Sequence, residues 1–126
     1  MGRKIGYWAT TGLLSALSLF AAYSYLSGAA QAVEGFARVG YPQQLRILLG
    51  IAKLLGVIVL LAPGLPRLKE WAYAGFTFAW IAATVAHYLV NEKPSAVMAL
   101  LLLVLLAISY ITRPPDRQWP PKPASL

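Results

Sequence analysis

Residues 96–111 read AVMALLLLVLLAISYI, an uncharged run in which polar and apolar positions do not alternate. A membrane β-strand shows a two-residue alternation, so this segment is a helix. A hydrocarbon core of about 30 Å takes about 20 helical residues at 1.5 Å each. The segment therefore crosses with help from its flanks. Working outward, three further apolar stretches of the same kind appear at 72–90, 45–61 and 7–26. The predicted architecture is an all-α membrane protein, a four-helix transmembrane bundle over residues 1–113, followed by a Pro-rich tail over 114–126.

Composition supports this reading. The 126 residues are 59% hydrophobic and 12% charged, against about 45–50% and 25% in a soluble domain. So short a chain cannot shelter that much apolar surface in its own core. A self-sufficient soluble enzyme is excluded. The absence of cysteine removes thiol chemistry, Cys-ligated metals and disulfides.

Arg3 and Lys4 before an apolar run, with Ala30-Gln31-Ala32 behind it, have the outline of a secretory signal cleaved before Val33. The apolar run of about 20 residues exceeds the usual 7–15 of a signal, so the segment is expected to stay as a transmembrane helix. Arg3, Lys4, Arg67, Lys69, Arg113, Arg117 and Lys122 fall on the side of the termini, and Arg38, Arg46 and Lys93 on the other. Seven against three places both termini in the cytoplasm, in an inner-membrane protein. The formal charge of +7 borders the spans and suits anionic headgroups rather than nucleic acid.

The connections differ. Pro63-Gly64-Leu65-Pro66 and Asn91 to Pro94 are tight turns that make neighbouring spans antiparallel, with Pro94 fitted to a first helical turn. Between the first and second spans, Val33, Phe36 and Ala37 recur at helical spacing with Gln31, Glu34 and Arg38 elsewhere, which predicts a short amphipathic helix before Gly40-Tyr41-Pro42. The tail is expected to be extended, with Trp119 able to touch the interface.

At 100° per residue the polar groups gather into sectors. Thr11, Ser15, Ser18 and Tyr25 share one on the first span, and Tyr73, Thr77, Trp80, Thr84, His87 and Tyr88 one on the third. The fourth span is expected to face mainly lipid. Small residues allow close helix approach, so Gly50, Gly56, Gly75, Ala79 and Ala83 are read as packing positions, as is the pair Gly12 and Ala16.

Lys53 is the exception among the basic residues. It sits about 12 Å from the outer end of its helix, where a lysine costs about 2.5–3.5 kcal/mol to insert. Three readings are open: snorkelling to an interface, an ion pair with Glu34, or contact with a ligand. His87 is either a packing histidine or a second polar group in the same cavity, and the chain offers no partners for a metal site. If the second and third spans face each other, Lys53, His87, Trp80 and Thr84 line one pocket capped by the helix that carries Glu34. Such a pocket suits a quinone carbonyl or a small anion.

Gly40-Tyr41-Pro42, the G-x-x-K-L-L-G run Gly50–Gly56 and the P-G-x-P-R-L-K-E-W-A-Y-A-G run Pro63–Gly75 resemble the DoxX-like family of small bacterial membrane proteins, a likeness spanning about residues 5 to 113. The resemblance implies a four-helix membrane bundle and a redox-accessory role, since the family's name comes from a subunit associated with thiosulfate:quinone oxidoreductase. The expected function is thus a non-catalytic accessory or subunit that binds a quinone- or lipid-like ligand in redox or membrane metabolism. A small-molecule or anion transporter component and a structural anchor for a redox partner are the alternatives. Quinone is the candidate cofactor. The lipid bilayer, a membrane redox partner and a second copy of the chain are the expected partners.

Overall fold

The structure is a computed structural model, and it describes residues 2–118. Trp119 and the rest of the tail lie outside the described residues. Five helices are present among them, with no strand: α1 (Gly2–Ser27), α2 (Ala30–Arg38), α3 (Gln43–Leu61), α4 (Pro66–Leu89) and α5 (Lys93–Ile111). The short amphipathic helix expected before Gly40 is α2, and Pro94 stands in the first turn of α5.

Three of the helices, α1, α3 and α5, are long and apolar enough to cross a membrane. The sequence reading expects four spans. With 24 residues α4 has the length, about 36 Å, but Arg67, Lys69 and Glu70 in its first turns and its Thr and His positions dilute its apolar character. Those polar groups are unevenly placed. Phe78 and Val85 on α4 are 74% and 51% exposed, whereas Tyr73 and Trp80 are buried.

The four long helices close a ring in which α1 packs on α3 and α5, and α4 packs on the same two from the opposite corner. Tight turns set the antiparallel order. Gly64 (φ 74°) and Leu65 (φ 55°) reverse the chain into Pro66, and Asn91 (φ 62°) does so between α4 and α5. The central core is Leu14, Val57, Leu60, Tyr73, Phe76, Trp80 and Leu106. Although α5 is the least buried of the three apolar helices, it still contributes Ala96, Ala99, Leu106 and Ser109 to the interior.

Close approach between helices is set by two of the expected glycines. A Cβ on Gly50 would sit 2.9 Å from Leu26 Cγ and 3.1 Å from Tyr25 Cβ, and one on Gly56 would sit 2.8 Å from two ring atoms of Phe76. Gly75 and Gly12 face outward with nothing within 4 Å. The wheel places Gly75 in line with Ala79 and Ala83, but no neighbouring helix approaches its Cβ position among the described residues.

At the end of the bundle that holds the N-terminus of α1, cations satisfy the last carbonyls of α3. A helix leaves its final C=O groups without partners. Here Lys69, completely buried, donates to the carbonyls of Ala62 and Gly64. Arg117 donates to Leu60 O at 2.9 Å and lies over the Trp8 ring at 4.7 Å. It gets there because Pro115–Arg117 forms a 3-10 turn rather than the extended chain expected for the tail. Arg113 pairs with Glu70 and stacks over Tyr110 at 3.7 Å. Lys69, Arg113 and Arg117, read from sequence as boundary charges, are therefore structural groups. Beside them a hydroxyl cluster joins three helices, Thr11 to Ser109 at 2.6 Å and Tyr73 to Ser109 at 2.7 Å. Ser15 and Ser18 continue the α1 stripe, buried and without a hydrogen-bond partner among the described residues.

Candidate functional site

Four helices contribute to the other half of the bundle, and α2 covers it. The polar face of α3 turns Lys53 inward between Gly50 and Gly56, and the inner face of α4 brings Phe76 and Trp80 against it. Only 8% of Lys53 is exposed. Its ammonium lies 5.1 Å from the Trp80 ring centroid, 5.9 Å from Phe76 and 6.0 Å from Tyr25. Phe76 and Trp80 are stacked, 5.0 Å apart at 21°. Lys53 makes no hydrogen bond or ion pair among the described residues.

Magnitudes decide how far this box satisfies the charge. A cation over an aromatic face gains roughly 0.5–2 kcal/mol, whereas removing an ammonium from water costs several kcal/mol and leaves its N–H donors without acceptors. The rings offset part of that cost. The remainder is directed into the space above them.

That space is a cavity of about 570 Å³, within the size range of small-molecule sites. Its walls are largely apolar, from Leu49, Ala79, Ala83, Met98 and Leu102, with Lys53 and Trp80 deep within and Gln31, Arg38, His87 and Ser95 toward the mouth. Ala79 and Ala83, expected as packing positions, are small enough to leave the cavity open where they line it. A second concavity of about 480 Å³ lies on the α4/α5 seam beside Glu70, Thr77 and Tyr110. Its polar groups are internally bonded, with Tyr110 donating to Glu70 at 2.8 Å and Thr77 to Tyr73 O at 2.7 Å.

The strap over the larger cavity is α2. Gly28 (φ 73°) and Gly40 (φ 79°) flank it, each in the left-handed region that favours glycine. Phe36 is buried and meets Tyr25 edge-on at 5.2 Å, so the strap rests on one ring of the lysine box. Glu92, between α4 and α5, fastens it. Arg38 Nε donates to Glu92 Oε2 at 2.7 Å, and His87 Nδ1 donates to Oε1 at 2.9 Å. At the back, Gln43 Nε2 donates to Val33 O at 3.1 Å, and Arg46 donates to the Tyr25 carbonyl.

The hydrogen bonds from His87 and then Arg38 hold the Glu92 carboxyl below the usual carboxylate range. A group whose folded-state pKa is depressed contributes stability above its unfolded value, about 4.3 for Glu, and that contribution is lost as pH falls through the folded value. The fastening is thus expected to be intact at pH 5–7 and to fade below about pH 4. Hydrogen exchange of the amides of residues 30–38, corrected for intrinsic rate, reads this directly. Glu92→Gln should raise their exchange at neutral pH and flatten the acid dependence, and unchanged protection in that variant would disprove the role.

Of the residues expected at the site, Lys53, Trp80 and His87 line one cavity. Thr84 does not line it, and its hydroxyl bonds to Trp80 O at 2.8 Å in its own helix. Glu34 is exposed, lies outside the lining and forms no ion pair among the described residues, so it does not pair with Lys53. The acid at the mouth is Glu92 instead. Sequence reading also passed over Phe76 and Phe36, since an aromatic residue on an inward face reads as core. Tyr25 stood in the right sector and Arg38 on the polar side of the amphipathic helix, but only helix adjacency shows what they meet.

A model of the DoxX-like family matches residues 9–109, a stretch that contains every residue lining the cavity. No curated protein and no solved structure matches the chain. With four-fifths of its length matched by that family, carried on an all-helical frame with three helices apolar enough to cross a membrane, the chain is a membrane protein and belongs to the DoxX-like family.

Proposed function

We propose that this protein is a non-catalytic accessory or subunit that binds a quinone- or lipid-like ligand in the cavity beneath α2. All four long helices span the bilayer in this reading, with both termini cytoplasmic in a bacterial inner membrane. The outward apolar faces of α1, α3, α4 and α5 support four spans, including Phe20, Leu55, Phe78 and Leu101, each more than half exposed. Turned outward into water they would be a large unfavourable surface; against acyl chains they cost nothing.

The single observation that carries the ligand reading is Lys53. A buried ammonium with three ring faces around it and no acceptor among the described residues is suited to an acceptor oxygen brought by a ligand, such as a quinone carbonyl. Trp80, held in place by stacking on Phe76, supplies a flat apolar face at the cavity floor against which a planar head can rest. The other polar groups lining the cavity, Gln31, Arg38, His87 and Ser95, stand toward the mouth, and the space around the lysine is aromatic and apolar, which favours binding over catalysis. A redox partner would then receive or supply the ligand.

The test is a titration of the purified protein in nanodiscs with decylubiquinone, together with native mass spectrometry after mild extraction. Wild-type protein is expected to carry or take up the ligand. Lys53→Met should weaken uptake by about 10- to 100-fold, the equivalent of one charge-assisted hydrogen bond, while thermal stability is retained, because a buried charge replaced by an apolar side chain of similar size is often neutral or stabilising. Protein that carries no quinone or lipid and takes none up would refute the reading.

A further inference from the structure

We propose that the ligand of this cavity is an anionic amphiphile, whose acidic head lies against Lys53 at the inner end and whose apolar body fills the space up to the mouth. The proposal rests on the reading of the cavity as a ligand site and adds the charge of what fills it.

The charges around the cavity do not balance. Lys53, Arg38 and His87 line it, and no Asp or Glu among the described residues does. Glu92 counters Arg38 and His87 at the mouth. Glu70 is engaged with Arg113 at the opposite end of the bundle, and Glu34 is exposed without an ion pair. Asp116 follows α5 in the chain, again at the opposite end. Lys53 is accordingly the one lining cation without a carboxylate among the described residues, and it is also the most deeply placed. A neutral acceptor supplies hydrogen bonds and leaves the charge uncompensated; a carboxylate supplies both. In surroundings of low dielectric the difference is large, because an ion pair there is screened far less than in water.

Geometry sets which end of the ligand goes where. Trp80, under the ammonium, and His87, at the mouth, are seven residues apart on α4, a rise of about 10 Å. The wall between them is apolar, with Ala83, Leu49 and Met98 facing the space. An ordinary bilayer lipid with its headgroup at the mouth would lay acyl chain against the ammonium and leave the charge unmet. A single-chain or aromatic acid inserted head first meets it. The flanking Gly28 and Gly40 give α2 the backbone freedom to admit such a molecule.

The experiment compares decanoate with decanamide, which differ at the head only, on the full-length protein in nanodiscs at pH 7.5, with empty nanodiscs as the background. Wild-type protein is expected to bind decanoate at least tenfold more tightly, and to keep that preference in 0.5 M NaCl, where attraction by surface cations is screened. Lys53→Arg should preserve the preference and Lys53→Met should abolish it. Ala83→Phe, which fills the cavity, should lose both ligands. Equal affinities for the two probes on wild-type protein overturn the proposal, and so does a preference that survives Lys53→Met. That first comparison needs no variant to fold. If decylubiquinone binds and decanoate gains nothing over decanamide, the anionic assignment fails and the ligand site stands. If none of the three binds, the ligand site itself fails.

Discussion

Lys69→Met is expected to lower the midpoint of thermal unfolding by on the order of 10 °C, more than any other replacement of a basic residue at that end of the bundle. The side chain is completely buried, and its ammonium donates to the carbonyls of Ala62 and Gly64, where α3 ends and the turn into α4 begins. That terminus has no αL glycine cap directly after it, since Ala62 leaves the helix in an extended conformation. The orphan carbonyls are instead met by cations, which the negative end of the helix dipole also favours. A hydrogen bond to a charged group contributes about 1.5–3 kcal/mol. Arg117 reaches Ala62 O only at 3.4 Å, so it replaces little of what is lost. A loss of about 3 kcal/mol follows. Lys4→Met, at an exposed position of α1, should change stability by less than about 0.5 kcal/mol. Differential scanning fluorimetry in mild detergent compares the two, and a Lys69→Met midpoint within 2 °C of wild type, by rough allowance for scatter, would show that the buried ammonium supports nothing.

Gly56→Leu carries the second large effect, and it reaches the site. The Cβ alone would stand 2.8 Å from Cε2 and Cζ of Phe76, a ring that is 5% exposed and stacked on Trp80. The ring has nowhere to turn without displacing Trp80, the ring nearest the Lys53 ammonium. Either α3 and α4 move apart or the lysine box comes undone. Overpacking of this kind costs roughly 1–3 kcal/mol, occasionally more. The expected readings are a lower unfolding midpoint and loss of decylubiquinone uptake together. Gly75→Leu on the same bundle has open space at its Cβ and should leave both readings near wild type. If the two variants behave alike, the contact of Gly56 with Phe76 does not set the spacing of α3 and α4.

The two glycines show where reading the sequence succeeds and where it stops. Both are read from sequence as packing positions on their helices, and a helical wheel treats them alike. One faces a neighbouring helix at contact distance and the other faces outward. The wheel gives the angle of a residue about its own axis, and the direction in which a neighbour lies is a property of the bundle. The same limit explains the acids. Glu34 and Glu92 both fall in connections on the same side of the chain. Glu92 is the one used because the turn after α4 brings it within reach of His87, five residues earlier, and of Arg38 on the strap. Thr84 has the right sector but satisfies its hydroxyl within its own helix, a choice set by the rotamer.

Local hydropathy, summed over about 20 residues, needs no knowledge of neighbours. It therefore determined from sequence alone that the protein is helical and belongs in a membrane, where the turns fall, that α2 is amphipathic, and that Lys53 stands apart from every other cation. The motifs around Gly50–Gly56 and Pro63–Gly75 likewise pointed to the family whose model matches the chain. Tertiary structure decided what each polar side chain meets: that Lys69 and Arg117 cap α3, that Glu92 fastens α2, and that Lys53, boxed by Tyr25, Phe76 and Trp80, opens onto a cavity. Those outcomes depend on which helices are adjacent and in what register, and a shift of one residue turns a side chain by 100°, from the interior to the lipid.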